Sequence, residues 1–147
     1  MVNKEFWNGK KVFLTGHTGF KGTWLTIWLK ELGADVYGYS LEPITVPSLY
    51  ALVRNDLEIS ETIGDIRNLD LLKESMKSFN PDIVISTHPF GCQMTSYLKQ
   101  KGKTNCKLVT IMTDFKSHDQ WLIGNKFVNF YFVSNSNMKE EIIKNNI

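Results

Sequence analysis

Residues 78–91 read SFNPDIVISTHPFG. A polar entry, Asn80-Pro81-Asp82, leads into three β-branched residues, Ile83-Val84-Ile85, and the segment meets a second proline at Pro89. A short apolar run bounded by turn formers is the pattern of a strand buried on both faces. The same pattern recurs in both directions along the chain. Strands are expected at 12–14, 36–40 and 58–64 before this run, which is itself the fourth, and at 108–112 and 129–133 after it. Longer amphipathic stretches at 23–32, 48–53, 69–78, 92–101 and 137–144 read as helices. Gly33 stops the first, Pro43 and Pro47 punctuate the loop before the second, and Asn68 caps the third. Residues 1–5 are read as leading straight into the first strand.

Strands this apolar cannot keep one face in water, so the alternation implies a parallel sheet covered on both sides. Right-handed crossovers then make the economical topology a single-domain, three-layer, doubly wound α/β sheet, Rossmann-like, with strand order 3-2-1-4-5-6. In that order strand four pairs with strand one. The crevice where such sheets take ligands opens between the loop after strand one and Thr87-His88-Pro89.

The chain has 147 residues, the size of one well-buried domain. Its 17 basic and 15 acidic residues are spread along the chain, so neither a nucleic-acid partner nor an acidic arm is expected. The densest positive run, Lys99-Gln100-Lys101-Gly102-Lys103, reads as a solvated helix end. Cys92 and Cys106 lack metal-ligand spacing, and no metal site is expected. With no leader-like start and no apolar run near the roughly 20 residues a bilayer requires, a cytoplasmic monomer without a membrane span is expected.

Thr15-Gly16-His17-Thr18-Gly19-Phe20-Lys21-Gly22 follows a strand and opens a helix, the context that gives a GxxGxxG spacing its meaning. Gly16 permits a tight turn, Gly19 lets backbone approach a pyrophosphate, and Gly22 lets the helix pack closely. Free N–H groups at the helix start would hold the phosphate charge. The bland alternative is a loop that uses its glycines for turn geometry alone. A dinucleotide also needs a group near the end of strand two to hold its ribose. Glu42 comes slightly late for this, and Ser40 is the substitute. After strand three, Asp65 and Ile66 could bracket an adenine, or be ordinary strand-end residues. The candidate cofactor-binding residues are therefore Gly16, His17, Thr18, Gly19, Phe20, Gly22, Ser40, Glu42, Asp65 and Ile66.

Two resemblances follow from longer stretches. FWNGKKVFLTGHTGFKGTWLTIWLKELGADVYGYSLEP, with NDLEISETIGDIRNLDLLKESMKSFNPDIV, closely resembles the N-terminal part of CDP-glucose 4,6-dehydratases, NAD-dependent enzymes of the extended short-chain dehydrogenase/reductase type. This likeness runs from residue 5 to about 84. It implies that Gly16, Gly19, Gly22, Asp65 and Ile66 match cofactor-binding positions. The family should continue after strand four with small residues against the cofactor, then a catalytic threonine and a Tyr-x-x-x-Lys pair. Tyr97 and Lys101 have that spacing but fall too early in the chain, and are read as coincidence.

From about residue 81 to the end, the sequence resembles the acceptor-side N-terminal domain of glycosyltransferases similar to monogalactosyldiacylglycerol synthase and processive diacylglycerol glucosyltransferase. The matching features are Ser86-Thr87-His88-Pro89-Phe90, Thr113-Asp114-Phe115, His118, Trp121 and Tyr131-Phe132-Val133-Ser134. Local structural roles are expected for His88 and Asp114, as caps, and for His118 and Trp121, as a packed pair. Both families enter strand four through a similar Pro-Asp/Glu-Ile-Val segment. The change there is read as an engineered chimera of two half-domains, residues 1–80 and 81–147; natural recombination would leave the same junction. Neither half is expected to be stable alone. With both catalytic sets incomplete, no catalytic residue is assigned and the chain is expected not to be an enzyme. It requires no cofactor and binds NAD weakly at most.

Overall fold

A computed structural model describes residues 3–114 and 119–144. It begins with one helical turn, α1 (Lys4–Trp7), capped by the Asn3 side chain, so the first residues do not run directly into the sheet. The order continues β1 (Lys11–Thr15), α2 (Phe20–Glu31), β2 (Asp35–Ser40), α3 (Leu49–Leu57), β3 (Ser60–Ile63), α4 (Leu69–Phe79) and β4 (Ile83–Ser86). Then come α5 (Pro89–Gln100), β5 (Lys107–Ile111), two short 3-10 turns at Asp119–Trp121 and Asn125–Phe127, β6 (Phe130–Phe132) and α6 (Ser136–Lys144). All six strands form one parallel sheet in the order β3-β2-β1-β4-β5-β6, the expected doubly wound arrangement.

Several elements differ from expectation at their ends. α2 starts at Phe20, three residues early, and takes Gly22 into its first turn. α5 starts at Pro89, whose missing N–H costs nothing at a helix's first position. α3 runs on to Leu57 and ends in Glu58, a non-glycine residue at φ 46°.

Two apolar clusters sandwich the sheet. On one side, α4 and α5 set Leu72, Met76, Cys92 and Leu98 against Phe13, Val84 and Leu108. On the other, Leu29 of α2 packs with Val12, Leu14, Val36, Ile83 and Ile85. Strand pairing joins Val12 to Ile83 and Leu14 to Ile85, so the centre of the molecule is the β1–β4 contact. Cys92 and Cys106 are free thiols inside the first cluster, and burial pushes both thiol pKa values up.

The expectation that both faces are covered needs correction at one end of the sheet. Successive strand residues point to opposite faces. Tyr131 packs with Trp121, Met138 of α6 and Ile142, while Phe130 and Phe132 point the other way and stay exposed. Among the described residues no helix lies over them on that face, because α2 packs mainly over β1 and β2.

Candidate functional site

The carboxyl ends of β1, β2, β3 and β4 enclose a crevice of about 310 Å³. Gly16, Ser40, Asp65, Ile66, His88 and Phe90 are among its lining residues, so the topology gathers four of the ten candidates around one space. The other six are placed differently.

Gly16 turns the chain out of β1 at φ 83°, with its N–H donating to the Tyr39 carbonyl at 2.9 Å. A side chain there would collide with the Thr87 hydroxyl, which donates to the Thr15 carbonyl at 2.9 Å. The loop and the exit of β4 are thus in direct contact. Gly22 sits beneath the loop, and a Cβ on it would fall on the Gly16 carbonyl oxygen. Gly19 is the N-cap of α2 and supplies no side-chain cap, whereas Ser48, Asn68 and His88 cap α3, α4 and α5. The first-turn N–H groups of α2 therefore keep the positive end of the helix dipole open to an anion. Phe20, at the first helical position, turns its ring outward.

His17 lies wholly inside, away from the crevice lining. Its Nε2 is 2.7 Å from Glu61 Oε2 on β3, and its ring meets Tyr50 edge-on at 5.3 Å. The Tyr50 hydroxyl donates to the same Glu61 oxygen, and Arg54 Nη2 pairs with Oε1 at 3.1 Å. Burial lowers the His17 pKa, against the opposing pull of Glu61. Burial pushes the Glu61 carboxyl up, but hydrogen bonds from Tyr50 and His17 and the neighbouring positive charges outweigh it, so its pKa is lowered. This network pins the glycine loop to β3 and α3. Nothing local in the sequence announces it, because its partners lie 44 residues apart.

Thr18 is also structural, its hydroxyl lying 2.9 Å from Ser40 Oγ and donating to the Leu41 carbonyl at 2.8 Å. Ser40 reaches the crevice with its hydroxyl already engaged by Thr18. Glu42 is exposed on the following loop and lies outside the lining. Asp65 is clasped by Arg67, whose backbone N–H and guanidinium both donate to the carboxylate, at 2.8 Å and 2.9 Å for Oδ1. Hydrogen bonds from the Arg67 side chain, then from its backbone, hold the Asp65 pKa down at about 2, a permanent anion at the crevice rim. The Tyr39 hydroxyl donates to the Asp65 carbonyl at 3.0 Å.

The far wall is the segment that replaces small residues after β4. Ser86 donates to the His88 carbonyl at 2.7 Å, and His88 Nδ1 accepts from the Phe90 N–H at 3.3 Å, which makes His88 the expected cap. Behind this wall a second cavity of about 310 Å³ is lined by Thr87, His88, Thr113, Asp114 and Trp121, among others. Trp121 Nε1 donates to Asp114 Oδ2 at 2.8 Å. Phe115 and His118 fall outside the described residues. Tyr97 lies on α5 and Lys101 is its C-cap; neither lines the crevice, and the Lys101 ammonium covers the Tyr97 ring at 5.5 Å. Among the described residues no group of three metal-ligating side chains occurs, and no helix is long and apolar enough to cross a membrane.

Against known proteins, the chain is 43% identical to CDP-glucose 4,6-dehydratase of Salmonella typhimurium over 145 residues, a match taking in 84% of this chain and 40% of that enzyme. In solved structures the same fold occurs in the enzyme WbmH of Bordetella bronchiseptica in complex with NAD+. That match has 16% identity and a TM-score of 0.63, and covers 86% of this chain and 56% of that one. The dTDP-glucose 4,6-dehydratase of Bacillus anthracis in complex with NAD matches with 14% identity and a TM-score of 0.56, over 90% of this chain and 46% of that one. The chain thus spans less than two thirds of each.

These likenesses overturn the expectation of a chain that is no enzyme, since its sequence relative is named as one. They also move the boundary of the dehydratase likeness. A match taking in 84% of the chain runs well past residue 84, and the model of a second family starts at residue 51, ahead of residue 81. The two likenesses overlap across the middle of the sheet. That second model, described as monogalactosyldiacylglycerol (MGDG) synthase, matches residues 51–147, well over half of the sequence, and the chain belongs to that family.

Proposed function

We propose that the chain is the cofactor-binding part of an NAD-dependent enzyme of the sugar-nucleotide dehydratase type. The observation that carries this reading is the uncapped start of α2 beneath a loop where side chains at Gly16 and Gly22 have no room, with Gly16 lining the same crevice as Asp65. The high identity to a CDP-glucose 4,6-dehydratase supports it independently. The first-turn N–H groups of α2 would hold the pyrophosphate. Asp65 would accept from the adenine amino group, with Ile66 against the ring. When bound, the nicotinamide supplies a group that takes up and returns a hydride. The residues that line the crevice hold and orient the adenosine half. With the nicotinamide half less well held, losing about 3–4 kcal/mol weakens binding by roughly 10²- to 10³-fold. Free buried Cys92 and Cys106 suit a reducing, cytoplasmic setting.

Calorimetric titration with NAD tests the reading. Saturable heat is expected from the parent chain and none from Gly19→Glu, with both melting cooperatively. A well-folded parent that gives no heat would sink it.

A second reading, an acceptor-side glycosyltransferase fragment, is favoured by the family match over residues 51–147 and by the cavity between His88 and Trp121. It predicts heat with diacylglycerol-bearing micelles and none with NAD. The join of two half-domains at β4 also remains our proposal, supported by the change of motif at Ser86-Thr87-His88-Pro89. A natural relative carrying both halves with this junction would exclude an engineered origin.

A further inference from the structure

α2 is apolar on its outward as well as its inward side. Inward it buries Gly22, Thr23, Thr26 and Leu29 against the loop and sheet, with the Thr23 hydroxyl donating to the His17 carbonyl and that of Thr26 to the Gly22 carbonyl, both at 2.9 Å. Its outward stripe is Phe20, Trp24 and Trp28, spaced four residues apart and so on one helix face. A helix that is apolar on its outward side is normally covered.

This stripe borders two adjoining apolar hollows of about 480 and 520 Å³ that share Leu25, Trp28 and Ile111. The first lies between α2 and the uncovered face of β4, β5 and β6, with Phe130 and Phe132 as its outer rim and Phe6 at one end. Among the described residues, the charged groups that line these hollows are Lys107, Lys21 and Glu31.

Phe6, Phe20, Trp24, Trp28, Phe130 and Phe132 are each between 49% and 69% exposed. At about 150–250 Å² per aromatic side chain, they present roughly 600–800 Å² of ring surface. That exceeds the few hundred Å² of contiguous apolar surface usual on a monomer. It matches the roughly 800 Å² that each partner contributes to a stable interface.

We propose that the occupant of this face is a second copy of the chain, related by a two-fold axis. A two-fold contact needs one patch that complements itself. Here a ridge (Phe20, Trp24, Trp28) lies beside a groove (Leu25, Ile85, Val109), and turning one copy over places each ridge in the other's groove. Among the described residues the lining charges are few and of both signs, so little like-charge repulsion opposes joining two identical surfaces. This departs from the monomer expected from sequence, and it is independent of what the crevice binds.

Sedimentation equilibrium of the full chain over micromolar to hundreds of micromolar concentrations tests the dimer. Twice the 16.9 kDa chain mass is expected for the parent. Trp28→Lys and Phe132→Lys, made separately on the two sides of the groove, should each shift the sample to the monomer while keeping a cooperative melt. Glu74→Lys on exposed α4, far from the groove, should leave the dimer intact. A parent that is monomeric at every concentration would overturn the proposal, as would a dimer that survives both groove variants.

Discussion

His17 shows how a residue inside a ligand loop can serve the fold. It is wholly buried, and its hydrogen bond to Glu61 ties the glycine loop to β3. The pKa values of both groups are lowered by folding, so as pH falls the unfolded chain takes up protons before the folded one. Their contribution to stability is therefore full above the ordinary histidine value of 6.5 and declines as pH drops through it. It declines again below the ordinary carboxyl value of 4.5. Urea unfolding between about pH 7 and pH 4 should show the midpoint falling in these two stages with an unchanged slope. Glu61→Gln should lower stability at neutral pH by about 1–3 kcal/mol, since it leaves Tyr50, His17 and Arg54 facing a weaker acceptor. It should also remove the second stage. A midpoint flat across this range would show that the network does not titrate with folding.

Elements were legible where the sequence carries a local signal. Ile83-Val84-Ile85 between turn formers can only be an inner strand, and with the run of alternating segments it yields the strand order. The start of α2 was not legible, because Gly19 and Gly22 read as loop on propensity; contact with Gly16 takes Gly22 into the helix. The pin from His17 to Glu61 and the engagement of Ser40 by Thr18 were hidden for another reason, since each joins segments that meet only once the sheet forms. The αL residue closing α3 was equally silent. Glu58 occupies φ 46° with an exposed side chain, a conformation costing a non-glycine residue about 1–2 kcal/mol. Glu58→Gly relieves this, less about 0.5–1 kcal/mol of added chain entropy, and keeps the carbonyl that accepts from Lys30 Nζ at 3.2 Å. A net gain of about 0.5–1 kcal/mol, seen as a melt a few degrees higher, is expected. An unchanged or lower melt would mean that the turn is not strained.

The whole molecule is held at its middle, where β1 and β4 share partners on both faces, and it is least finished beyond β5. Cys92 lies in the first turn of α5 and Cys106 just before β5, yet both belong to the same apolar cluster. Because only an exposed thiolate reacts readily, neither should be alkylated while the cluster is closed. Each sulfur is thus a clock that advances only when its surroundings open. Pulsed alkylation followed by mass spectrometry should label the two at one common rate, equal to that of global unfolding, if α5 and the sheet part company together. Faster labelling of Cys92 alone would mean that the helix lifts off an otherwise intact sheet, and that the wall behind the crevice is a hinged one.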